Sequence, residues 1–166
     1  MRSRLIASLL LAAALLAPAF ASAAPTTVYV TRHGEKGDGK DPALTAQGQA
    51  RARMIATLLG KVGIRQIYSS ATLRTQQTAK PLADKAGVDI QTYDPAKPEG
   101  AIEKIKASGG PTLLVGHSNT VPDLVKLLGG TPGSPIGDDE FDRLYQVTIG
   151  ADGAVTTVLL TTVAPQ

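Results

Sequence analysis

Short strand-like apolar runs alternate along this chain with stretches whose apolar residues recur at helical spacing. Thr26 to Thr31, Arg65 to Ser69 and Val88 to Tyr93 read as strands, being rich in β-branched and aromatic residues. Thr112 to Gly116 is the most apolar run and is expected at the sheet centre, since a strand covered on both faces loses its alternation. Leu144 to Ile149 and Val155 to Val163 frame Asp152-Gly153, a dipeptide that favours a hairpin. Thr45 is placed to cap a helix reaching about Leu59, with Met54, Ile55, Leu58, Leu59 and Val62 along one face. A second helix is predicted over Ala71 to Ala86, with Ala79, Leu82, Ala83 and Ala86 facing inward. Pro81 is expected to kink or divide it. Two more helices are predicted, over Glu99 to Ala107 and over Asn119 to Leu128, the latter closed by Gly129-Gly130.

This order predicts an α/β fold. The expected architecture is a three-layer α/β/α sandwich with a mostly parallel sheet and an antiparallel C-terminal edge hairpin. Ligands of such sheets bind outside the carboxyl ends of the strands. The first 23 residues are set apart from the predicted domain, 24–166. Arg2 and Arg4 precede the apolar run Leu5 to Leu16, and Ala21-Ser22-Ala23 matches a small-residue cleavage site. This is the pattern of a secretory signal peptide, cleaved after Ala23 or Ala24. It predicts a periplasmic or secreted protein with no stable membrane insertion after cleavage.

Composition narrows the function classes. With 43% hydrophobic and 19% charged residues, the chain fits a soluble globular domain rather than a disordered one. The net charge of +3 includes Arg2 and Arg4, and their removal leaves +1. There is no block of like charge and only 4% aromatic content, so no nucleic-acid partner is expected. The absence of cysteine excludes disulfides and thiol chemistry.

The candidate chemistry centres on the only two histidines, both at predicted strand ends and both beside glycine: Arg32-His33-Gly34 and Gly116-His117. Imidazole is a competent nucleophile near neutral pH, and the guanidinium is the best fork for phosphate oxygens. Arg74 falls in the first turn of the second predicted helix, where the helix dipole favours an anion. Four residues, Arg32, His33, Arg74 and His117, thus converge on one side of the sheet. A metal site using Glu35 is disfavoured by the fixed charge of Arg32. The run Gly34 to Asp41 approaches a phosphate-binding loop, but Asp41 stands at its hydroxyl position and Pro42 delays the next helix. It reads instead as a loop at the site mouth. Gly116-His117-Ser118 resembles a nucleophile elbow, yet no histidine follows Ser118 to act as base. Ser118 and Asn119 are expected to cap the following helix and to add hydrogen bonds near the ligand.

Taken in order, Arg32-His33-Gly34-Glu35, Leu44-Thr45 with Gly48, Ser69 through Arg74-Thr75 to Thr78-Ala79, and Val115-Gly116-His117-Ser118 resemble the histidine phosphatase superfamily, in its phosphoglycerate-mutase-like branch. The resemblance implies that His33 becomes phosphohistidine and that Arg32, Arg74 and His117 complete a metal-free, cofactor-free phosphate pocket. The substrate would be a phosphorylated small molecule or phosphoprotein. The other reading on the same fold is a non-catalytic anion-binding module. The family's general acid follows the third strand. Here that region offers only Asp94 and Glu99, neither in a clear motif, and the short segment implies an open site suited to hydrolysis rather than to a mutase reaction.

Overall fold

The computed structural model describes residues 25–163; the predicted signal segment lies outside the described residues. Six strands form one sheet: β1 (Thr26–Arg32), β2 (Gln66–Ser69), β3 (Ile90–Thr92), β4 (Thr112–Gly116), β5 (Arg143–Ile149) and β6 (Val155–Thr161). Their order is β3-β2-β4-β1-β5-β6. The β1–β4, β4–β2 and β2–β3 pairs are parallel, whereas β5 runs antiparallel to both β1 and β6. The expected mixed sheet with its C-terminal edge hairpin is therefore present, and β4 lies inside it, fully buried along its length.

Alternate side chains of the strands feed two cores. Val28, Val30, Leu114, Tyr145 and Val147 pack with Ile102 and Ile105 of α3 (Glu99–Ser108) and Leu124 and Val125 of α4 (Val121–Leu127). Tyr29, Ile67, Leu113, Val115 and Leu144 pack on the other face. Their partners are Ile55 and Leu59 of α1 (Ala46–Leu59) and Ala79 and Leu82 of α2 (Leu73–Ala86). The sheet is thus sandwiched, which is why its inner strands carry apolar residues on both faces. Among the described residues no helix is long and apolar enough to cross a membrane.

The helices correct several details. In α1 the buried stripe is Ala52, Ile55, Ala56 and Leu59, while Leu58 is exposed; apolar character alone did not separate the two sides. Thr45 caps α1 as expected, its side chain accepting from Gly48 N–H at 3.2 Å. Pro81 does not divide α2, which continues unbroken on both sides of it, and Ala86 is exposed at the helix end. β3 is half the predicted length, because only Ile90 to Thr92 reach β2. Helix α4 starts at Val121, not at Asn119. Neither Ser118 nor Asn119 caps it: Thr120 Oγ1 accepts from His117 N–H at 2.9 Å instead.

Candidate active site

The carboxyl ends of three neighbouring strands build the site. His33 follows β1, and its N–H donates to the Gly116 carbonyl at 3.0 Å, which extends the β1–β4 ladder by one rung. His117 follows β4 directly. Ser69 ends β2 and Ser70 follows it toward α2, whose second residue is Arg74. The two imidazole rings meet edge-on with centroids 5.4 Å apart. Arg32, His33, Arg74 and His117, the residues singled out in the sequence, all line one cleft of about 580 Å³, joined by Ser118 and Asn119.

The close approach of β1's exit to α1 depends on two glycines. A Cβ on Gly48 would lie 2.1 Å from the Glu35 carbonyl oxygen, and one on Gly34 would lie 2.8 Å from the Gly48 carbonyl oxygen. Gly34 N–H donates to Thr78 Oγ1 at 3.0 Å, so α2 also holds the histidine loop. Glu35 is not directed at a metal: its carboxylate grips the buried Arg51, with contacts of 2.5 to 3.1 Å. Arg51 in turn donates to Thr162 Oγ1 at 2.7 Å, tying the loop to the end of the chain's last strand. Burial pushes the Glu35 carboxyl up, but the hydrogen bonds and charge of Arg51 hold it below the usual carboxylate value.

His33 is prepared as a nucleophile. Its Nδ1 lies 2.8 Å from the Gly34 carbonyl. A carbonyl only accepts, so Nδ1 carries the proton and Nε2 presents a lone pair. Nε2 has no protein hydrogen-bond partner among the described residues. Burial, opposed by the hydrogen bond to the Gly34 carbonyl and helped by the charges of Arg32 and Arg74, lowers the His33 pKa to about 4. The ring is therefore neutral across the physiological range.

His117 is held in the opposite tautomer. Arg74 Nη2 approaches Nδ1 at 3.4 Å and can only donate. Nε2 then carries the proton and donates to Ser70 Oγ at 2.9 Å. Burial, then Arg74 and Arg32, lower its pKa to about 4 as well. The resting site thus holds His117 uncharged, and its fixed positive charge comes from the two arginines and Lys36. An arriving phosphate dianion would restore proton affinity to His117.

Arg32 is clamped on one edge and free on the other. Its Nη1 donates to the carbonyls of Gly137, Asp138 and Glu140 at 2.8 to 2.9 Å. Its guanidinium carbon sits 3.9 Å from the Phe141 ring centroid, a cation–π contact. The Nε groups of Arg32 and of Arg74 are both buried without a partner among the described residues. Two orphaned, charged N–H donors on residues that line the same cleft as His33 fit a tetrahedral oxyanion, whose oxygens would satisfy them.

Ser70 and Phe141 were not legible as site residues. Ser70 carried only its place at a strand end, and Phe141 belongs to a loop far along the chain from Arg32. Asp41 proves to be a docking residue: its two oxygens accept from Leu73 N–H at 3.0 and 3.2 Å, and Oδ1 lies 3.5 Å from Arg74 Nη1. The loop before Asp41 opens no helix of its own and instead leans on the start of α2.

Comparison with known proteins agrees with this geometry. Residues 28–97 match the model of the histidine phosphatase superfamily (branch 1). Over these residues the chain is similar to the histidine phosphatase superfamily. Among curated relatives, a probable phosphoglycerate mutase GpmB from Enterobacter sp. (strain 638) is 40% identical over 89 residues. That match covers 46% of this chain and 40% of the relative, so the chain spans about two fifths of the length of the curated relatives it matches. Among solved structures, the protein histidine phosphatase SixA complexed with tungstate aligns with a TM-score of 0.66 at 22% identity, covering 81% of this chain and 96% of that one. The mycobacterial glucosyl-3-phosphoglycerate phosphatase aligns with a TM-score of 0.64 at 15% identity, covering 85% and 100%. These two likenesses show the fold alone.

Proposed function

We propose that this chain is a metal-independent phosphatase that hydrolyses phosphate monoesters, or phosphate groups on proteins or envelope components, through a phosphohistidine on His33. The observation that carries this reading is the pairing of a neutral His33, with Nε2 bare, and two guanidinium groups whose buried Nε donors lack partners. Phosphoryl transfer asks little of a protein beyond positioning and charge neutralisation. In the first step Nε2 attacks phosphorus while Arg32 and Arg74 bind the equatorial oxygens. Water then hydrolyses the phosphohistidine. The relatives named for phosphatase activity, one of them bound to tungstate, a tetrahedral oxyanion, support the same chemistry. Only Tyr93 to Pro98 separate β3 from α3, so no large insertion covers the cleft, which favours hydrolysis over a mutase reaction that must retain its intermediate. The predicted signal segment of residues 1–23 supports an activity in the periplasm or outside the cell.

The test is phosphate release from p-nitrophenyl phosphate. Release is expected in the presence of a metal chelator and is expected to vanish in His33→Ala. Full activity of that variant would overturn the reading. The anion-binding alternative is favoured by one fact, that neither Asp94 nor Glu99 lines the cleft. It predicts phosphate binding without any release.

A further inference from the structure

We propose that Asp138, on the loop between α4 and β5, is the proton donor to the leaving group. This rests on the phosphohistidine reading above. The two carboxylates expected to fill the role do not reach it: Asp94 Oδ1 accepts from Ala96 N–H at 2.9 Å in its own exposed turn. Glu99 opens α3 and borders a separate groove beside Leu124 and Leu127. Among the described residues, the wall of the cleft that holds both histidines and both arginines contains a single carboxylate, Asp138.

A general acid must be able to hold a proton, and the surrounding carboxylates cannot do so without losing their bonds. Glu35 is gripped by Arg51, Glu140 by Arg143, and Asp41 by Leu73 N–H and Arg74. The bonds from Arg51 and Arg143 hold the carboxyls of Glu35 and Glu140 below the usual carboxylate range. The Asp138 carboxyl has no hydrogen-bond partner among the described residues and is exposed, so it can exchange protons with water between turnovers. Its main chain is nonetheless fixed, because its carbonyl accepts from Arg32 Nη1 at 2.8 Å. One guanidinium therefore offers one edge to the phosphate and uses the other to hold the residue that carries the acid.

In the first step the Nε2–P bond forms and the P–O bond to the alcohol breaks, and the leaving oxygen takes the Asp138 proton. In the second, the Asp138 carboxylate takes a proton from the attacking water. The O–P bond forms, and the P–N electron pair returns to Nε2. The proton count and the charge balance in each step.

A donor matters for a poor leaving group and little for a good one. The test compares kcat/KM on glycerol phosphate and on p-nitrophenyl phosphate for wild type, Asp138→Asn and Asp139→Asn. In Asp138→Asn the ratio of glycerol phosphate to p-nitrophenyl phosphate activity is expected to fall by about 100-fold or more. Asp139→Asn, whose side chain does not line the cleft, should keep the wild-type ratio. An unchanged ratio in Asp138→Asn overturns the proposal, as does a proportionate loss on both substrates, which would mark a role exerted only through Arg32. A wild type that cleaves p-nitrophenyl phosphate but not glycerol phosphate also overturns it. Failure of the parent reading looks different: the wild type then forms no phosphohistidine with either substrate.

Discussion

Two histidines share a cleft 5.4 Å apart, yet their surroundings give them different work. His33 spends its proton on a carbonyl and keeps Nε2 bare, whereas His117 has both nitrogens engaged, by Arg74 and by Ser70. Removing the Ser70 hydroxyl should free one side of the His117 ring while Arg74 still fixes its Nε2–H tautomer. Ser70→Ala is expected to lower kcat/KM about tenfold, the worth of one neutral hydrogen bond, and nitrogen NMR of the imidazoles should still show His117 as the Nε2–H form. A tautomer mixture in the variant would contradict this assignment. The pKa values also predict how stability depends on pH. A histidine at about 4 in the folded protein and 6.5 when unfolded binds its proton more readily in the unfolded chain. Stability is therefore full above pH 6.5 and declines as pH falls from 6.5 toward about 4. The melting temperature of the wild type should drop more steeply across that window than that of His33→Gln. Parallel profiles would show that burial of His33 contributes nothing.

At the scale of elements, the site exists because α1 and α2 press on the exit of β1. Gly48 sits in the first turn of α1, where helix propensity alone would favour alanine by about 1 kcal/mol. A Cβ there would lie 2.1 Å from the Glu35 carbonyl oxygen, and backbone cannot yield as a side-chain tip does. Overpacking of this kind costs about 1–3 kcal/mol, occasionally more. Gly48→Ala is therefore expected to lower the melting temperature and phosphatase activity together; a more stable variant would mean that propensity wins and the contact relaxes. The strands were legible because their apolar runs reflect burial on two faces, and β4 was readable to the residue. The helix faces were less so: Leu58 and Ile55 are equally apolar, and only the α1–α2 packing decides that Ile55 goes inside. Pro81 was over-read, since a proline with solvent on one side can be carried by a helix that packs well on the other. At the site, Arg32, His33, Arg74 and His117 were readable because each chemical type stood at a strand end or helix start. The Phe141 and Gly137–Glu140 clamp on Arg32 was not, because it joins segments more than a hundred residues apart and leaves no local pattern.

For the whole molecule, the order β3-β2-β4-β1-β5-β6 sets the ends of β1, β4 and β2 side by side, so residues far apart in sequence share one cleft. The antiparallel β5–β6 hairpin completes the other half of the sheet. The loop leading into it supplies the carbonyls that fix Arg32. The fold thus supplies rigid backbone beneath the arginines while leaving the cleft open to water. The central claim is that phosphate passes through His33, and trapping the covalent intermediate tests it most directly. The wild type is mixed with p-nitrophenyl phosphate, quenched in alkali during turnover, and the modified residue is located by mass spectrometry and phosphorus NMR. An acid-labile phosphoramidate on Nε2 of His33 is expected, formed and lost at rates that match turnover. Steady phosphate release with no phosphate on His33, or with the label on Ser118, would contradict it.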